Sequence, residues 1–192
     1  MAIIHAQQTA PADRVLALLA LRPLSAGVGQ TEVDGERSLV FAVVMMPTED
    51  IKAIVRRFYT TVVAAGQLST IDSLVGAGYV DHNAGADAGR GPHVVRNHLD
   101  AIRSTFPDFR LTIEEMIAEG DLVATRVTGR GTHLGEWVGI RPTGRVVQLR
   151  GINQDRVVGG RIVEHWGEAD TVGMLVQMDV DPFGSRRGDR GA

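Results

Sequence analysis

From Thr48 onward the chain carries an apolar stripe at helical spacing. Ile51, Ile54, Val55, Phe58, Tyr59, Val62 and Val63 recur at i, i+3, i+4, i+7, i+8, i+11 and i+12. Positions so spaced line one face of a helix, which must then lie against something hydrophobic. Thr48 suits an N-cap, Glu49 and Asp50 favour a helix N-terminus, and Gly66 supplies the stop. A shorter helix is expected over Ser69 to Val75. A third opens at Gly91-Pro92, carries Val95, Leu99, Ile102 and Phe106 on one side, and ends at Phe106-Pro107-Asp108. Beyond that point the period falls from about 3.6 to 2. Strands are expected at Phe109 to Ala118, Leu122 to His133, Val146 to Val158 and Arg161 to Ala169, with Glu119-Gly120-Asp121 and Gly159-Gly160 as tight turns.

Three helices followed by consecutive strands predict an α+β domain, its helices packed on one face of a curved antiparallel sheet that encloses a pocket. Gly129, Gly131 and Gly151 lie inside strands, where the sheet is expected to bulge or bend. The patterned region sets a domain at residues 46–180. Residues 1–45 read as an N-terminal extension with a short helix (Val15 to Leu21) and one strand (Ser38 to Val44), or as sequence upstream of a start at Met45 or Met46. Residues 181–192 read as a disordered Gly/Arg-rich tail.

Composition narrows the function classes. A length of 192 residues suits one domain with an appendage. Twenty Lys and Arg against 23 Asp and Glu, scattered along the chain, leave no nucleic-acid footprint. The absence of cysteine excludes disulfides, thiolate metal sites and thiol nucleophiles. No stretch reaches the roughly 20 apolar residues of a membrane span. Val15 to Leu21 lacks the flanks of a secretory signal, so a cytoplasmic location is expected. No phosphate loop, dinucleotide fingerprint, Gly-x-Ser-x-Gly or His-Glu-x-x-His occurs, which predicts no cofactor. His82, His93, His98, His133 and His165 lack recognised ligand spacing, which predicts no metal.

The remaining candidates are polar residues in or beside apolar strands. Asp170 follows the last strand between Trp166 and Met174. In apolar surroundings its pKa would rise and it could exchange protons with a carbon acid; equally, it could cap the helix that follows. His82 could bond a substrate carbonyl or a nearby backbone group. His133 sits in the glycine-punctuated stretch Gly131 to Gly139, in which Trp137 is the better pocket candidate. Strand parity puts Glu164 and Trp166 on one face and Val163 and His165 on the other, and Gln154 with Ile152 and Arg156 opposite Asn153 and Asp155. Which faces point inward stays open.

Val80-Asp-His-Asn83, Phe106-Pro-Asp108, Ala118-Glu-Gly-Asp-Leu-Val-Ala124, Gly131-Thr-His-x-Gly-Glu-Trp-x-Gly139, Pro142-Thr-Gly144 and Ile162-Val-Glu-His-Trp166 followed by Asp170 occur in that order. The series resembles the SnoaL-like polyketide or ester cyclase family of the NTF2-like superfamily, over about Glu49 to Met178. The resemblance implies a cystatin-like cone and cofactor-free intramolecular aldol ring closure on a hydrophobic, polyketide-like small molecule, with no membrane or nucleic-acid partner. It makes Asp170 the catalytic acid/base, assisted by His82. Gln154 then lines the cavity with Tyr59, His133, Trp137, Trp166 and Met174. A homodimer or higher homo-oligomer is expected for this fold class. Arg156 stands where the family places a histidine, and the chain reads Gln177-Met178-Asp179 where many relatives finish in Gln-Leu-Gly. A different class of function, a non-catalytic small-molecule-binding or accessory protein, fits the same fold. An epoxide-hydrolase activity lacks its Arg-x-Asp element.

Overall fold

The stripe from Thr48 folds as one rod in two parts. Helix α1 (Thr48–Arg57) runs without a break into a π-helical segment, Phe58–Ala64. Ile51, Val55, Phe58, Tyr59, Val62 and Val63 are buried, as the spacing requires. Pro47, not Thr48, occupies the N-cap and contributes no side-chain bond. Its carbonyl accepts from the N–H of Asp50 at 3.0 Å and Ile51 at 3.2 Å. The widening has a local cause. Thr60 and Thr61 turn their hydroxyls back to the carbonyls of Arg56 (2.9 Å) and Arg57 (2.7 Å), in competition with the backbone ladder. The β-branched run Thr60 to Val63 crowds an ordinary α turn.

This computed structural model describes residues 26–33, 36–43 and 46–183. Strands β1 (Ala26–Val33) and β2 (Glu36–Val43) form an antiparallel hairpin of their own. It contains the expected strand from Ser38 and adds a partner for it. The expected helix Val15 to Leu21 and most of the expected tail, 184–192, lie outside the described residues. After α1 come a 3-10 turn, Leu68–Thr70, the short helix α2 (Ile71–Leu74) and β3 (Val75–Asp81). A second 3-10 turn, Ala86–Ala88, precedes α3 (Pro92–Thr105). Then follow β4 (Arg110–Glu119), β5 (Leu122–Thr132), β6 (Val146–Val158), β7 (Arg161–Ala169) and the closing helix α4 (Thr171–Gln177).

The main sheet has the order β3-β7-β6-β5-β4, curved and unclosed. Strands β4 to β7 are antiparallel neighbours, as expected. Strand β3 corrects the expectation of a wholly antiparallel sheet: it replaces the end of the expected Ser69 to Val75 helix and pairs parallel with β7. A parallel partner needs a long crossover, and the whole stretch from α3 to β6 supplies it. Two side chains and one backbone N–H of the Asp81-His82-Asn83 run make the joint. Asp81 Oδ1 accepts from the Asn83 N–H at 2.9 Å, and the His82 N–H donates to the His165 carbonyl at 2.9 Å. The Asn83 amide clamps Gly167 from both sides, accepting its N–H at 2.6 Å and donating to its carbonyl at 2.5 Å.

The in-strand glycines do not bend the sheet where expected. Gly129, Gly131 and Gly151 keep regular pairing, while the register shifts fall between Ile113 and Glu115 and between Arg156 and Val157. Their role is clearance: a Cβ would meet the Phe109 ring at 2.9 Å from Gly129, Phe106 Cβ at 2.9 Å from Gly131, and the Glu168 carbonyl at 2.9 Å from Gly151. Phe106 and Phe109 thus close over the sheet into a core with Ile51, Ile71, Val123 and Ile162. Burying each such aliphatic side chain stabilises the fold by roughly 1.5–3 kcal/mol. Among the described residues, no helix is long and apolar enough to cross a membrane. The tightest backbone approach is at Gly135, where a Cβ would fall 2.1 Å from the Ser104 carbonyl oxygen at the end of α3. Gly135→Ala is therefore expected to lower stability by at least about 1–3 kcal/mol, read as a shift of the urea midpoint at unchanged slope.

Candidate functional site

The concave face of the sheet, covered by α1 and α3, carries a row of polar groups. On β6 the alternation makes Val147, Asp155 and Val157 buried and leaves Gln154 exposed, which fixes the face that the sequence left open. Asp155 pairs across the sheet with Val123 on β5 and His165 on β7, and His165 in turn with Asp81 on β3. Directly paired residues share a face, so Asp155, His165 and Asp81 stand side by side.

Asp155 has no exposed surface. A carboxylate so placed must be hydrogen-bonded, and two donors reach it. Tyr59, presented by the π-helical segment, donates its hydroxyl to Oδ2 at 2.9 Å. His165 places Nδ1 2.9 Å from Oδ1. An ionised carboxylate only accepts, so Nδ1 carries the proton and Nε2 is left as a lone pair in the neutral ring. Asn153, one inward position along β6, places its side-chain amide near the Tyr59 hydroxyl, where it pulls the hydroxyl pKa down against the larger upward influences. Tyr59, Asp155 and His165 form one hydrogen-bonded chain, with Asn153 beside Tyr59 at its end.

The electrostatics follow from burial. The Tyr59 hydroxyl is held well above its ordinary pKa by desolvation first and then by the Asp155 charge, so it stays a donor. Tyr79, also buried in the core, is shifted the same way by desolvation, with Asp81 and Asp155 adding to it. For His165 desolvation is the largest single influence and lowers its pKa. The hydrogen bond and charge of Asp155, with Asp81 behind them, outweigh it, and the net shift is upward. His98, on α3, is within electrostatic reach of Asp81 and His165, and desolvation dominates to lower its pKa. The two histidines are thus pushed apart in basicity. By surface area the His98 residue is exposed and the His165 side chain keeps 19% of its surface exposed, so the site opens to solvent on the α3 side.

Of the residues given a site role from the sequence, Tyr59 alone joins this constellation. Asp170 is exposed and is the N-cap of α4, its Oδ1 accepting from the Gly173 N–H at 2.8 Å. Gln154 lies on the outer face opposite Trp166, a correction to its expected place in the cavity lining, because its parity is that of Ile152 and Arg156 and not that of Asp155. His82 and Trp166 are on that outer face too, stacked at 4.4 Å between ring centroids with planes 3° apart. Arg156 covers the indole at 5.8 Å and pairs with Asp121 at 2.7 Å and Glu164 at 2.9 Å; both carboxylates hold its pKa above the ordinary value. His133 is fully buried beside Phe106, with Nδ1 near the Thr143 hydroxyl (3.1 Å) and accepting the Thr143 N–H (3.3 Å). Trp137 bridges to Ile140 at a hairpin tip and packs on the core from outside. Met174 is core. Asp155, His165 and Asn153 were missed as a site, although one signal was present. The odd positions of β6 read Val, Leu, Gly, Asn, Asp, Val from 147 to 157 without a cation, whereas the even ones include Arg150 and Arg156. Among the described residues, no three His, Cys, Asp or Glu side chains are grouped to hold a metal ion.

Comparisons with known proteins agree with this architecture. The family model described as SnoaL-like polyketide cyclase matches residues 53–178. Among solved structures, IdmH from Streptomyces antibioticus, a proposed polyketide cyclase, is 34% identical, with 68% of this chain and 99% of that chain covered and a TM-score of 0.60. AclR from Streptomyces galilaeus, a proposed hydroxylase, is 27% identical over 71% of this chain and 89% of its own, with a TM-score of 0.61. TsrD from Streptomyces laurentii, 24% identical over 69% and 97% of the two chains, has a TM-score of 0.63 and shares the fold. No curated protein matches the chain.

Two outcomes are expected. Asp170→Ala should cost about 1 kcal/mol of stability and Asp170→Asn only a few tenths, since asparagine caps a helix as well as aspartate does; urea unfolding measures both. In an imidazole NMR titration His165 should titrate above its ordinary value in the wild type and below it in Asp155→Asn, where desolvation remains without the opposing charge. The sign for stability is fixed by the same shift. The contribution of His165 is fully present below its unfolded pKa and is lost as pH rises through the higher folded value.

Proposed function

The chain belongs to the SnoaL-like polyketide cyclase family, and from that premise we propose that it is an acid/base enzyme acting on an enolisable, polyketide-like small molecule, with His165 as the group that moves the proton. One observation carries the reading: a buried carboxylate fixes the tautomer of a histidine whose other nitrogen faces an accessible part of the concave surface. That is the arrangement a general base requires, since orientation, lone pair and stabilisation of the protonated form are all provided in advance.

The reaction is intramolecular aldol ring closure. His165 Nε2 removes a proton from the carbon next to a carbonyl, and the resulting enolate attacks a second carbonyl of the same molecule. One C–C bond forms, the second carbonyl oxygen becomes an alkoxide, and the imidazolium returns the proton to it. Asp155 stabilises the imidazolium between the two transfers, and Tyr59 holds Asp155 in place without titrating. The chemistry needs no redox partner, because the proton lost is the proton regained. Asp170, which the family resemblance makes the acid/base, has its carboxylate engaged at the N-terminus of α4, on the solvent side, where it serves as the cap.

The test is α-hydrogen exchange with deuterium oxide, using 1-tetralone as an enolisable probe. The wild-type protein should accelerate exchange. His165→Gln should lose most of that acceleration, by a factor on the order of 10²–10⁴, while Asp170→Asn should stay close to wild type. Full exchange in His165→Gln, or its loss in Asp170→Asn, would overturn the assignment. Absence of acceleration by the wild type would favour a binding protein.

A further inference from the structure

The row of side chains Asn153, Tyr59, Asp155, His165 does not end at two separate places. Its two terminal atoms converge on Gly167, which faces the same concave side between them. A Cβ at Gly167 would lie 2.9 Å from Asn153 Oδ1 and 3.1 Å from His165 Nε2. The missing side chain therefore leaves a notch with these two atoms on its walls. Gly167 and Asn153 are partly exposed and so is the His165 ring, so the notch can be entered. It is also held rigid, because the Asn83 amide ties down both the N–H and the carbonyl of Gly167.

Both wall atoms are acceptors. The Asn153 amide turns its Oδ1 toward the notch, and an amide oxygen only accepts. The Nδ1 proton of His165 is bonded to Asp155, which leaves Nε2 as a lone pair. Two adjacent acceptors cannot both be satisfied by a plain ketone, whose oxygen only accepts. A molecule that offers a hydroxyl next to its acidic carbon satisfies both, the O–H on Asn153 Oδ1 and the C–H on His165 Nε2. We propose that Asn153, Gly167 and His165 form a two-acceptor notch that selects hydroxylated enolisable ketones, with Gly167 as the specificity-determining position. The proposal rests on His165 being the base and adds to it which substrates reach that base. A site that needs a donor rejects the analogue lacking one more strongly than an apolar pocket rejects a missing methylene.

The test uses 2-naphthol and 2-methoxynaphthalene, two bicyclic probes that differ in the one donor, titrated by NMR against the full chain. Wild-type protein should bind 2-naphthol at least about tenfold more tightly than the ether, which corresponds to about 1.4 kcal/mol. Gly167→Ala, whose new methyl fills the notch, should lose that preference, and Asn153→Leu, which keeps the notch open but removes the acceptor, should bring 2-naphthol down to the affinity of the ether. Equal binding of the two probes by wild type, or an unchanged preference in both variants, would overturn the notch. Should Gly167→Ala fail to fold, Asn153→Leu alone decides. The outcomes separate from those for the base: hydroxyl preference with full exchange in His165→Gln removes the base and keeps the notch, and the reverse pair of results removes the notch and keeps the base.

Discussion

A carboxylate sealed from water organises the concave side of this fold. Asp155 has no exposed surface, and an ionised group in such a place is tolerated only if its oxygens are bonded. The two donors come from elements far apart in sequence, Tyr59 from the helical rod and His165 from the last strand. Removing one partner of a buried charged pair typically costs about 3–5 kcal/mol. The same contacts therefore fix how the rod sits on the sheet and how the histidine ring is turned. The π-helical widening belongs to this constraint, for it is the segment that carries Tyr59. Structure and proposed chemistry share one set of bonds.

The sheet separates two kinds of polar group that the sequence presents side by side. Asn153, Asp155 and His165 face the helices, whereas Gln154, Arg156 and Trp166 face outward. The outer group is a solvated structural patch: a stacked His82 and Trp166 with Arg156 held between two carboxylates. Pairs about one-third exposed contribute little each; here they tie β6 to β7 and to the β4–β5 turn. Asp81-His82-Asn83 shows the division within three residues. Asp81 stands beside His165 on the inner face, His82 stacks on the outer one, and Asn83 extends the pairing of β7 past the end of β3.

Much of the fold was legible because helix and strand periods are written directly in residues such as Ile51 to Val63 and Val146 to Val158. The parallel strand β3 was not, since Val75-Gly-Ala-Gly-Tyr-Val80 has two glycines and too little alternation to announce a strand, and its pairing depends on a partner about 85 residues later. The site was legible only in part. The periodicity gave the two faces of β6 and β7 but not their direction, because a shift of one residue exchanges them. Tyr59 could be placed on the buried face, but its hydroxyl partner could not, as long-range hydrogen bonds leave no local trace. Asp170 illustrates the opposite problem. Its position after the strand matches both a cap and a catalytic carboxylate, and the Gly173 N–H it accepts is a contact that either reading would permit from sequence.

The proposed chemistry stands on the state of one ring, and that state can be observed without any substrate. Nitrogen-15 NMR of the histidine side chains, recorded above the His165 titration, distinguishes the two neutral tautomers. His165 is expected to carry its proton on Nδ1, bonded to Asp155, with Nε2 bare, and to lose this tautomer in Asp155→Leu. A proton found on Nε2 in the wild-type protein would contradict the proposed chemistry, because the nitrogen assigned to take the substrate proton would already hold one.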